Sequence, residues 1–469
     1  MSSFVGLNTA LSGLMAQRRA MEVAAQNIAN QNTEGYTRQR TDLASVGGNT
    51  VPAIHSTWRG AGAGVTVTGQ TRIRDAFLEG RSHAEGGVHA QLEGADAVLA
   101  SIERAFGEPG ATGLSSQLAK MWAAFGQVAD QPESLAVRAT SLQEAKGVVD
   151  VLHDMDRALT AAAGAYSAKI DDLAAEANST SAGVAEYNTA IKQATMAGLS
   201  ANELMDKRDV LVSKLATLVG ATAQPVADGV VNVSIGTPPV SLVTGSTAES
   251  MGVTRDAGGV ITGLNVASGA DIALTGGTAR GLIEGVRSDG VIASYRTQLD
   301  ALANQLANDV NDVHRVGYNV IDPPVATGDL FGPIGGSITA ASIIVEITDP
   351  KGVAASSIAP VGSDINYDGG NAGALQAVGT GSLSPDANYK KLVGGLGVAA
   401  QASSRRLDVQ TTTLALINAA REAQSGVSTD EEMTQLLSYQ RAYDAAARVM
   451  TTVDSALDTL INRTGIVGR

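Results

Sequence analysis

Residues 7–28, LNTALSGLMAQRRAMEVAAQNI, carry the helical stripe that decides the fold at the start of the chain. Its positions recur at alternating steps of four and three residues, which is the spacing of a heptad seam along one helical face. One arginine interrupts the otherwise apolar series. The stripe consists of Leu7, Leu11, Leu14, Arg18, Met21, Ala25 and Ile28. This spacing predicts a helix with one face suited to packing against another helix.

A second stripe with the same spacing lies near the other end, in residues 436–460. We expect the two terminal helices to pair and to offer their outer faces to neighbouring copies, as subunits of a polymer do. The open alternative is two ordinary amphipathic helices packed on a globular core. The second stripe consists of Leu436, Tyr439, Tyr443, Ala446, Met450, Val453, Leu457 and Leu460.

The predicted terminal pair is expected to be only marginally stable by itself. Ordering about 24 residues of backbone costs on the order of 1 to 2 kcal/mol each, and short isolated helices are marginal in water. Arg18 and several alanines further weaken the seam. We therefore predict that both ends are mobile in the free monomer and become ordered on assembly.

Composition narrows the classes of function. The chain of 469 residues is expected to form two to four domains, and it contains no cysteine, which excludes a disulfide scaffold and suits export through a reducing cytosol. The net charge of -14, without a basic tract, argues against nucleic acid as a partner. No run of 18 apolar residues occurs and the N-terminus lacks the pattern of a signal peptide, so we expect no membrane insertion and export without a cleaved signal.

The pattern along the chain predicts an α+β multidomain fold: terminal heptad helices forming a coiled-coil-like pair, a long-helix layer, and inserted β-rich domains. Turn-forming residues end the first helix at 30–35, residues 51–69 suggest a short hairpin, and Gly426 ends a helix. Thr429 and Glu432 have the spacing of a capping box. The predicted parts are paired terminal helices at 1–35 and 427–469, a mainly helical domain at 36–219, 281–316 and 387–426, and β-rich regions at 220–280 and 317–386.

Two terminal motifs resemble those of the bacterial flagellar rod, hook and hook-associated proteins. The first is residues 27–30 (NIAN) with Thr33, Gly35, Tyr36 and Arg38, and the second is residues 439–449 (YQRAYDAAARV). Segments 35–39, 64–78, 202–209 and 426–432 are similar to the hook-associated members in particular. The resemblance covers the ends and the helical layer, whereas 221–275 and 320–386 match only in general texture.

The resemblance implies a structural subunit, not an enzyme, at the junction between hook and filament. It implies self-assembly as a ring or helical lattice, with the hook protein and the next hook-associated protein toward the filament as partners. It also implies an extracellular location, export by the flagellar type III apparatus, and a cytoplasmic chaperone that covers the C-terminal helix before export. A hook or distal-rod subunit is the alternative within the same class.

The family signature residues Asn27, Asn30, Gly35, Tyr36 and Arg38 also have a physical interpretation. The amides of Asn27 and Asn30 lie one turn apart, where they can satisfy the last exposed carbonyls of the first helix, and Gly35 permits a backbone reversal. Alternatively, they are ordinary helix-end and loop residues. In residues 202–209 we expect capping by Ser200 or Asn202 and an ion pair between Glu203 and Lys207, either on a solvated face or in a subunit contact.

Motifs for catalysis, metals or cofactors are weak or missing, and no cofactor or metal is expected. The histidines His55, His83, His89, His153 and His314 are scattered without a metal-ligand spacing. Residues 364–369, DINYDG, imitate the first half of a calcium loop, but position 12 is Leu375, so an Asx-rich turn is the preferred interpretation. A secreted cell-wall hydrolase with a carboxylate pair remains a remote alternative, because nothing in the sequence marks out two carboxylates.

Overall fold

The computed structural model describes residues 2–46, 62–321, 328–361 and 365–463. Helices dominate the described residues and several small antiparallel sheets accompany them, so the predicted α+β class is confirmed. No helix in these ranges is long and apolar enough to cross a membrane. The α-helices are α1 (Ser2–Ala29), α2 (Ala76–Phe106), α3 (Leu114–Asp130), α4 (Leu135–Met196), α5 (Asn202–Val219), α6 (Thr278–Val286), α7 (Val291–His314), α8 (Gly370–Val378), α9 (Pro385–Ser425) and α10 (Thr429–Asp458).

The strands form four antiparallel sheets. The strands are β1 (Gln39–Ser45), β2 (Val65–Arg72), β3 (Thr222–Pro225), β4 (Val231–Ile235), β5 (Val240–Thr244), β6 (Thr247–Ala248), β7 (Met251–Arg255), β8 (Ile261–Val266), β9 (Asp271–Ile272), β10 (Phe331–Pro333) and β11 (Ile343–Val345). Two of the sheets are single pairs, β1 with β2 and β10 with β11, and the other two have the orders β3-β4-β5-β6 and β7-β8-β9.

The chain divides into two compact units. Unit 1 comprises residues 1–86, 177–250 and 412–469, and unit 2 comprises residues 87–176 and 251–411. Unit 1 contains the terminal helices, the β1–β2 pair, α5 and the four-stranded sheet. Unit 2 contains α3, α6, α7, α8 and the other two sheets.

The core of unit 2 follows directly from apolar periodicity. In α3, Leu118, Met121 and Phe125 recur every three or four residues, and each is at most 1% exposed. In α4, four apolar residues with helical spacing share one face and are all buried. They are Leu142, Val149, Leu152 and Leu159. Apolar burial therefore fixes how these helices are rotated.

Two predicted boundaries are confirmed and one prediction is wrong. Helix α1 ends at Ala29 and α9 ends at Ser425, directly before Gly426. Residues 65–69 of the predicted hairpin belong to β2, which pairs with Gln39–Ser45, a strand that was not predicted because its polar sequence gives little strand signal. Residues 370–378 form the helix α8, although the sequence predicts a β-rich region there. The Asp368 carboxylate accepts a hydrogen bond from the Gly370 N–H at the start of this segment, which contains three alanines. Residues 47–61, with Gly60 and His55, lie outside the described ranges.

Candidate functional site

The two terminal helices pair with each other in an antiparallel arrangement, as the sequence predicts. An added Cβ at Gly13 would lie 3.8 Å from Ala446 Cβ, and one at Gly6 would lie 3.8 Å from Val453 Cγ2. At the other end of α1, Asn27 Nδ2 donates to Glu432 Oε2 at 3.1 Å. Each of these three pairs of residue numbers sums to 459, so one register holds along the whole contact.

The face of α1 that packs on α10 is offset by one residue from the predicted stripe. Apart from Val23, which is 4% exposed, small residues form the packed side of α1, including Gly6, Gly13 and four alanines that are at most 6% exposed. The large predicted residues lie one position further on, where they are partly exposed. The alanines are Ala10, Ala16, Ala20 and Ala24. One residue corresponds to about 100° around a helix, so α1 is rotated by about that angle from the apolar optimum.

The predicted stripe of α10 is less displaced. Seven of its eight members are partly buried, and Ala446 and Val453 lie against the glycines of α1. Leu460, the eighth, is 57% exposed. The use of either stripe as an assembly interface stays a prediction, since a single chain is described.

Residues of the family signature meet in one hydrogen-bonded group, here called the signature cluster: Asn27, Tyr36, Arg38, Gln39 and Glu432. Asn27 is 1% exposed; its Nδ2 donates to Gln39 O at 2.9 Å, and its Oδ1 accepts from Tyr36 Oη at 2.8 Å and Gln39 N at 3.0 Å. Together with its bond to Glu432, this satisfies both ends of the amide. The expectation that Asn27 caps α1 is therefore wrong, whereas Asn30 Nδ2 does donate to Gln26 O at 3.0 Å.

Glu432 is a buried carboxylate rather than a capping residue. It is 1% exposed, accepts from Arg38 Nε at 2.7 Å and from Asn27, and makes no capping-box contact. Thr429 Oγ1 donates to Gln31 Oε1 at 2.9 Å instead. The predicted capping box is therefore wrong, because tertiary partners on α1 and on the following loop compete successfully for the Glu432 side chain.

The loop after α1 is shaped to deliver Tyr36 and Arg38 to the cluster. Gly35 has φ +77°, and an added Cβ there would lie 2.2 Å from Val210 Cγ2, so both backbone conformation and space require glycine. Burial, followed by the carboxylates of Asp206 and Glu432, raises the pKa of Tyr36 to about 12. Its hydroxyl therefore remains a proton donor to Asn27.

A second group in unit 1, here called the arginine cluster, joins the end of β2 and the start of α2 to α5. Arg72 bridges Asp206 at 2.9 Å and Asp209 at 2.8 Å, and Arg74 and Arg208 also pair with Asp209. Burial alone would raise the pKa of Asp209, but the three guanidinium groups together hold it below its usual value. For Asp206, burial outweighs Arg72 and the pKa is raised.

The sequence interpretation of residues 202–209 was partly wrong. The ion pair between Lys207 Nζ and Glu203 Oε1 is confirmed at 2.9 Å, but no side chain caps α5. Asn202 Nδ2 donates instead to Gln39 Oε1 and Gln70 O, both at 3.0 Å. The clustering of Arg72 and Arg74 ahead of α2 is the sequence signal for buried partners of Asp206 and Asp209.

Residues 365–369 show the chemistry of an Asx-rich turn. The Asp368 carboxylate accepts from the hydroxyls of Ser356 and Ser357 at 2.5 and 2.9 Å, and from the backbone N–H groups of Ser357, Ile358 and Gly370. These donors outweigh partial burial and lower the pKa of Asp368 to about 2. Asp364, the first position of the calcium-like motif, lies outside the described residues.

The described histidines are separate from one another. His83 hydrogen-bonds to Ser213, His89 to Thr411, His153 to the Ile343 carbonyl, and His314 to the Gly328 carbonyl. Within the ranges that the structure describes, no group of three or more acidic or histidine side chains could hold a metal ion.

Three family models match the chain. The model of the flagellar hook-associated protein FlgK helical domain matches residues 99–331. The flagella basal body rod protein model matches residues 7–37, and the model of the C-terminal part of flagellar basal body rod FlgEFG proteins matches residues 421–463. The two terminal matches cover α1 with its following loop and α10, which are the elements that carry the signature cluster.

Two curated proteins that are similar to this chain share one name. Flagellar hook-associated protein 1 of Bacillus subtilis is 29% identical, with both chains covered completely. The Escherichia coli protein of that name is 28% identical over 84% of this chain and 73% of its own. A solved structure of the flagellar hook junction protein FlgK from Burkholderia pseudomallei covers 74% of this chain and all of that one, with a TM-score of 0.62 at 15% identity, which supports the fold. With relatives of that name along its full length and the family's helical-domain model across its middle, the chain belongs to the flagellar hook-associated protein 1 family.

Proposed function

We propose that this chain is a structural subunit that joins the hook of a bacterial flagellum to its filament, and that copies assemble through their terminal helices. The observation that carries the proposal is the apolar surface left on the paired helices. Met15 on α1 is 56% exposed, and Met433, Leu437 and Val449 on α10 are each 51% exposed. Several large apolar side chains exposed on one pair of helices are typical of a protein interaction site.

Burial of this surface by neighbouring copies supplies a driving force for assembly. Fully burying a large aliphatic side chain stabilises by about 1.5 to 3 kcal/mol, whereas Gly6 and Gly13 in the intramolecular contact have no side chain to bury. The terminal pair therefore has more to gain from neighbours than from its own partner helix. This supports the prediction that residues 2–29 and 429–458 become ordered on assembly.

A hook or distal-rod subunit is the alternative in the same structural class. The terminal helices do not discriminate, because both match models described for rod proteins. The helical region does discriminate, because residues 99–331 match a model described for the hook-associated protein. This favours the junction over the rod or hook, and no observation favours the remote hydrolase alternative.

The finer partners are part of the same proposal. The subunit contacts the hook protein on one side and the next hook-associated protein on the other, and it acts outside the cell after export without a cleaved signal peptide. A cytoplasmic chaperone covers α10 before export. The half-exposed apolar residues of α10 support this, because they would otherwise promote premature assembly.

The test is a strain that lacks this protein. We expect intact hooks without filaments, with filament protein lost to the medium, and restored filaments when the full chain is returned. Loss of hooks themselves would instead support the rod or hook alternative. A chain lacking residues 2–29 or 429–458 that still attaches filaments would refute assembly through the terminal helices.

A matched pair of variants separates the assembly surface from general solubility. Met15→Ser removes an exposed apolar side chain from α1, and Leu383→Ser removes one that is 76% exposed in unit 2. We expect Met15→Ser to reduce filament attachment while Leu383→Ser leaves it unchanged. Equal effects of the two substitutions would contradict the proposed role of the α1 surface.

A further inference from the structure

The rotation of α1 conflicts with its own apolar pattern. If α1 turned by one residue, the stripe containing Leu7, Leu11 and Leu14 would face α10 in place of Gly6, Ala10 and Gly13. Leu7 and Leu14 are only partly buried and Leu11 is 37% exposed, so full burial of their side chains would further stabilise the isolated pair. The observed pair forgoes this burial, so some other interaction must hold the rotation.

The register of the pair also needs an external cause. Apart from Val23, the contact face of α1 consists of glycine and alanine, which offer few side chains that could interlock with a particular position on α10. A helix with such a face can shift by a heptad and meet similar small residues again. Packing of this interface therefore specifies the rotation and the register only weakly.

The signature cluster supplies both. Asn27 lies on the same face as Gly13 and Ala20, two and one heptads away, so its contact with Glu432 at 3.1 Å fixes this face toward α10. Asn27 is also tied to Gln39 and Tyr36, and Glu432 to Arg38 at 2.7 Å, so both helices are held against the same loop. Turning α1 by one residue would withdraw Asn27 and leave buried polar groups without partners, and the desolvation of such unpaired groups opposes the turn.

We propose that Asn27 and Glu432 are positioning residues that set the rotation and register of α1 against α10 and thereby keep the large apolar residues of α1 turned outward. The outward stripe is then available to neighbouring copies; this last step rests on the proposed function, whereas the rotation itself does not. Buried polar groups that specify register at the expense of apolar burial are known in paired helices.

The absence of cysteine allows a direct test by disulfide mapping in the full chain. The first reporter is Gly13→Cys with Ala446→Cys, since the Cβ separation of 3.8 Å fits a disulfide. The second is Leu14→Cys with Ala446→Cys, which reports the rotated helix. With the cluster intact, we expect the first reporter to oxidise at least about tenfold faster than the second.

The same reporters are then placed in the Asn27→Leu/Glu432→Leu background. We expect the preference to fall to near parity or to reverse, because apolar burial now decides the rotation. Glu432→Gln keeps one acceptor oxygen, which can still accept from Asn27, and gives up only the acceptor for Arg38. It serves as the conservative control and should retain the original preference. Circular dichroism confirms that each variant remains helical, and Asn27→Leu alone provides a milder background if the double variant unfolds.

Two outcomes overturn the inference. One is an unchanged tenfold preference in both apolar backgrounds, and the other is no preference in the chain with an intact cluster. Neither depends on the filament-attachment test, because disulfide formation reports the geometry of one chain. A failure of the proposed function would appear as attached filaments in the strain that lacks the protein, whatever the disulfide ratio.

Discussion

The terminal helix pair of unit 1 and the helix α3 of unit 2 follow opposite rules. In α3, the largest apolar side chains point inward, and Met121 and Phe125 are fully buried. In α1, the inward face is mostly glycine and alanine, with Val23 and Asn27 as its larger buried members, while Leu11 and Met15 are 37% and 56% exposed. The burial of large apolar side chains therefore decides how α3 is rotated about its axis. The rotation of α1 is instead accompanied by the polar contacts of Asn27.

The difference has an energetic consequence. A fully buried aromatic or long aliphatic side chain contributes several times the stabilisation of an alanine methyl group, because the burial term scales with the apolar area removed from water. Unit 2 therefore contains its own source of stability in α3, α4 and α7. The terminal pair has its remaining apolar area on the outside, where only another molecule can bury it.

The largest expected effect is on the free energy of unfolding, when a side chain of α3 or of α1 is truncated to alanine. We expect Phe125→Ala to destabilise unit 2 by about 3 to 5 kcal/mol, since a large aromatic leaves a cavity in a closed core. Leu11→Ala, at a partly exposed site, is expected to change the unfolding of unit 2 by less than about 0.5 kcal/mol. The measurement is chemical denaturation followed by the fluorescence of Trp122 in a Trp58→Phe background. Similar costs for the two variants would break the contrast.

Hydrogen exchange of the full-length monomer sharpens the same contrast. Amides of residues 114–130 are expected to be protected at least about 100-fold more strongly than those of residues 5–30, because protection follows the free energy of local opening. Mass spectrometry of a verified monomer measures both segments in one experiment. Strong protection of residues 5–30 would show that the terminal pair is already stable before assembly.

Two glycines test how tightly the loop of the signature cluster is constrained. Gly35 and Gly198 have φ values of +77° and +70°, but an added Cβ meets Val210 at 2.2 Å at the first and nothing within 4 Å at the second. Gly198→Ala is expected to cost about 1 kcal/mol through backbone strain. Gly35→Ala adds the clash and is expected to cost about 2 to 3 kcal/mol. Thermal unfolding followed by circular dichroism compares the stability of the two variants. Equal destabilisation would indicate that the loop around Gly35 can shift to accommodate the added Cβ.

How far the sequence predicts the structure depends on which force decides each element. The existence of both terminal helices, the end of α1 and the buried face of α4 follow from local periodicity and turn formers. The rotation of α1 does not, because it accompanies hydrogen bonds between Asn27 and Glu432, which lie 405 residues apart. The arginine cluster escaped prediction for the same reason, since its partners come from β2 and α5.

Asp368 provides the smallest expected effect and a polar counterpart in unit 2 to the signature cluster. Its pKa in the folded chain is about 2, below the value of about 3.9 for an unfolded aspartate. The stabilisation is therefore fully present above pH 4 and is lost as pH falls from about 4 toward 2. Because Asp368 is only partly buried, we expect a loss of only about 1 kcal/mol after allowance for solvent screening. Denaturation of unit 2 at pH 5 and pH 2.5 should show this decline in the parent chain and a smaller one in Asp368→Asn. An equal decline in both would mean that the five donors around Asp368 hold the turn without stabilising its charge.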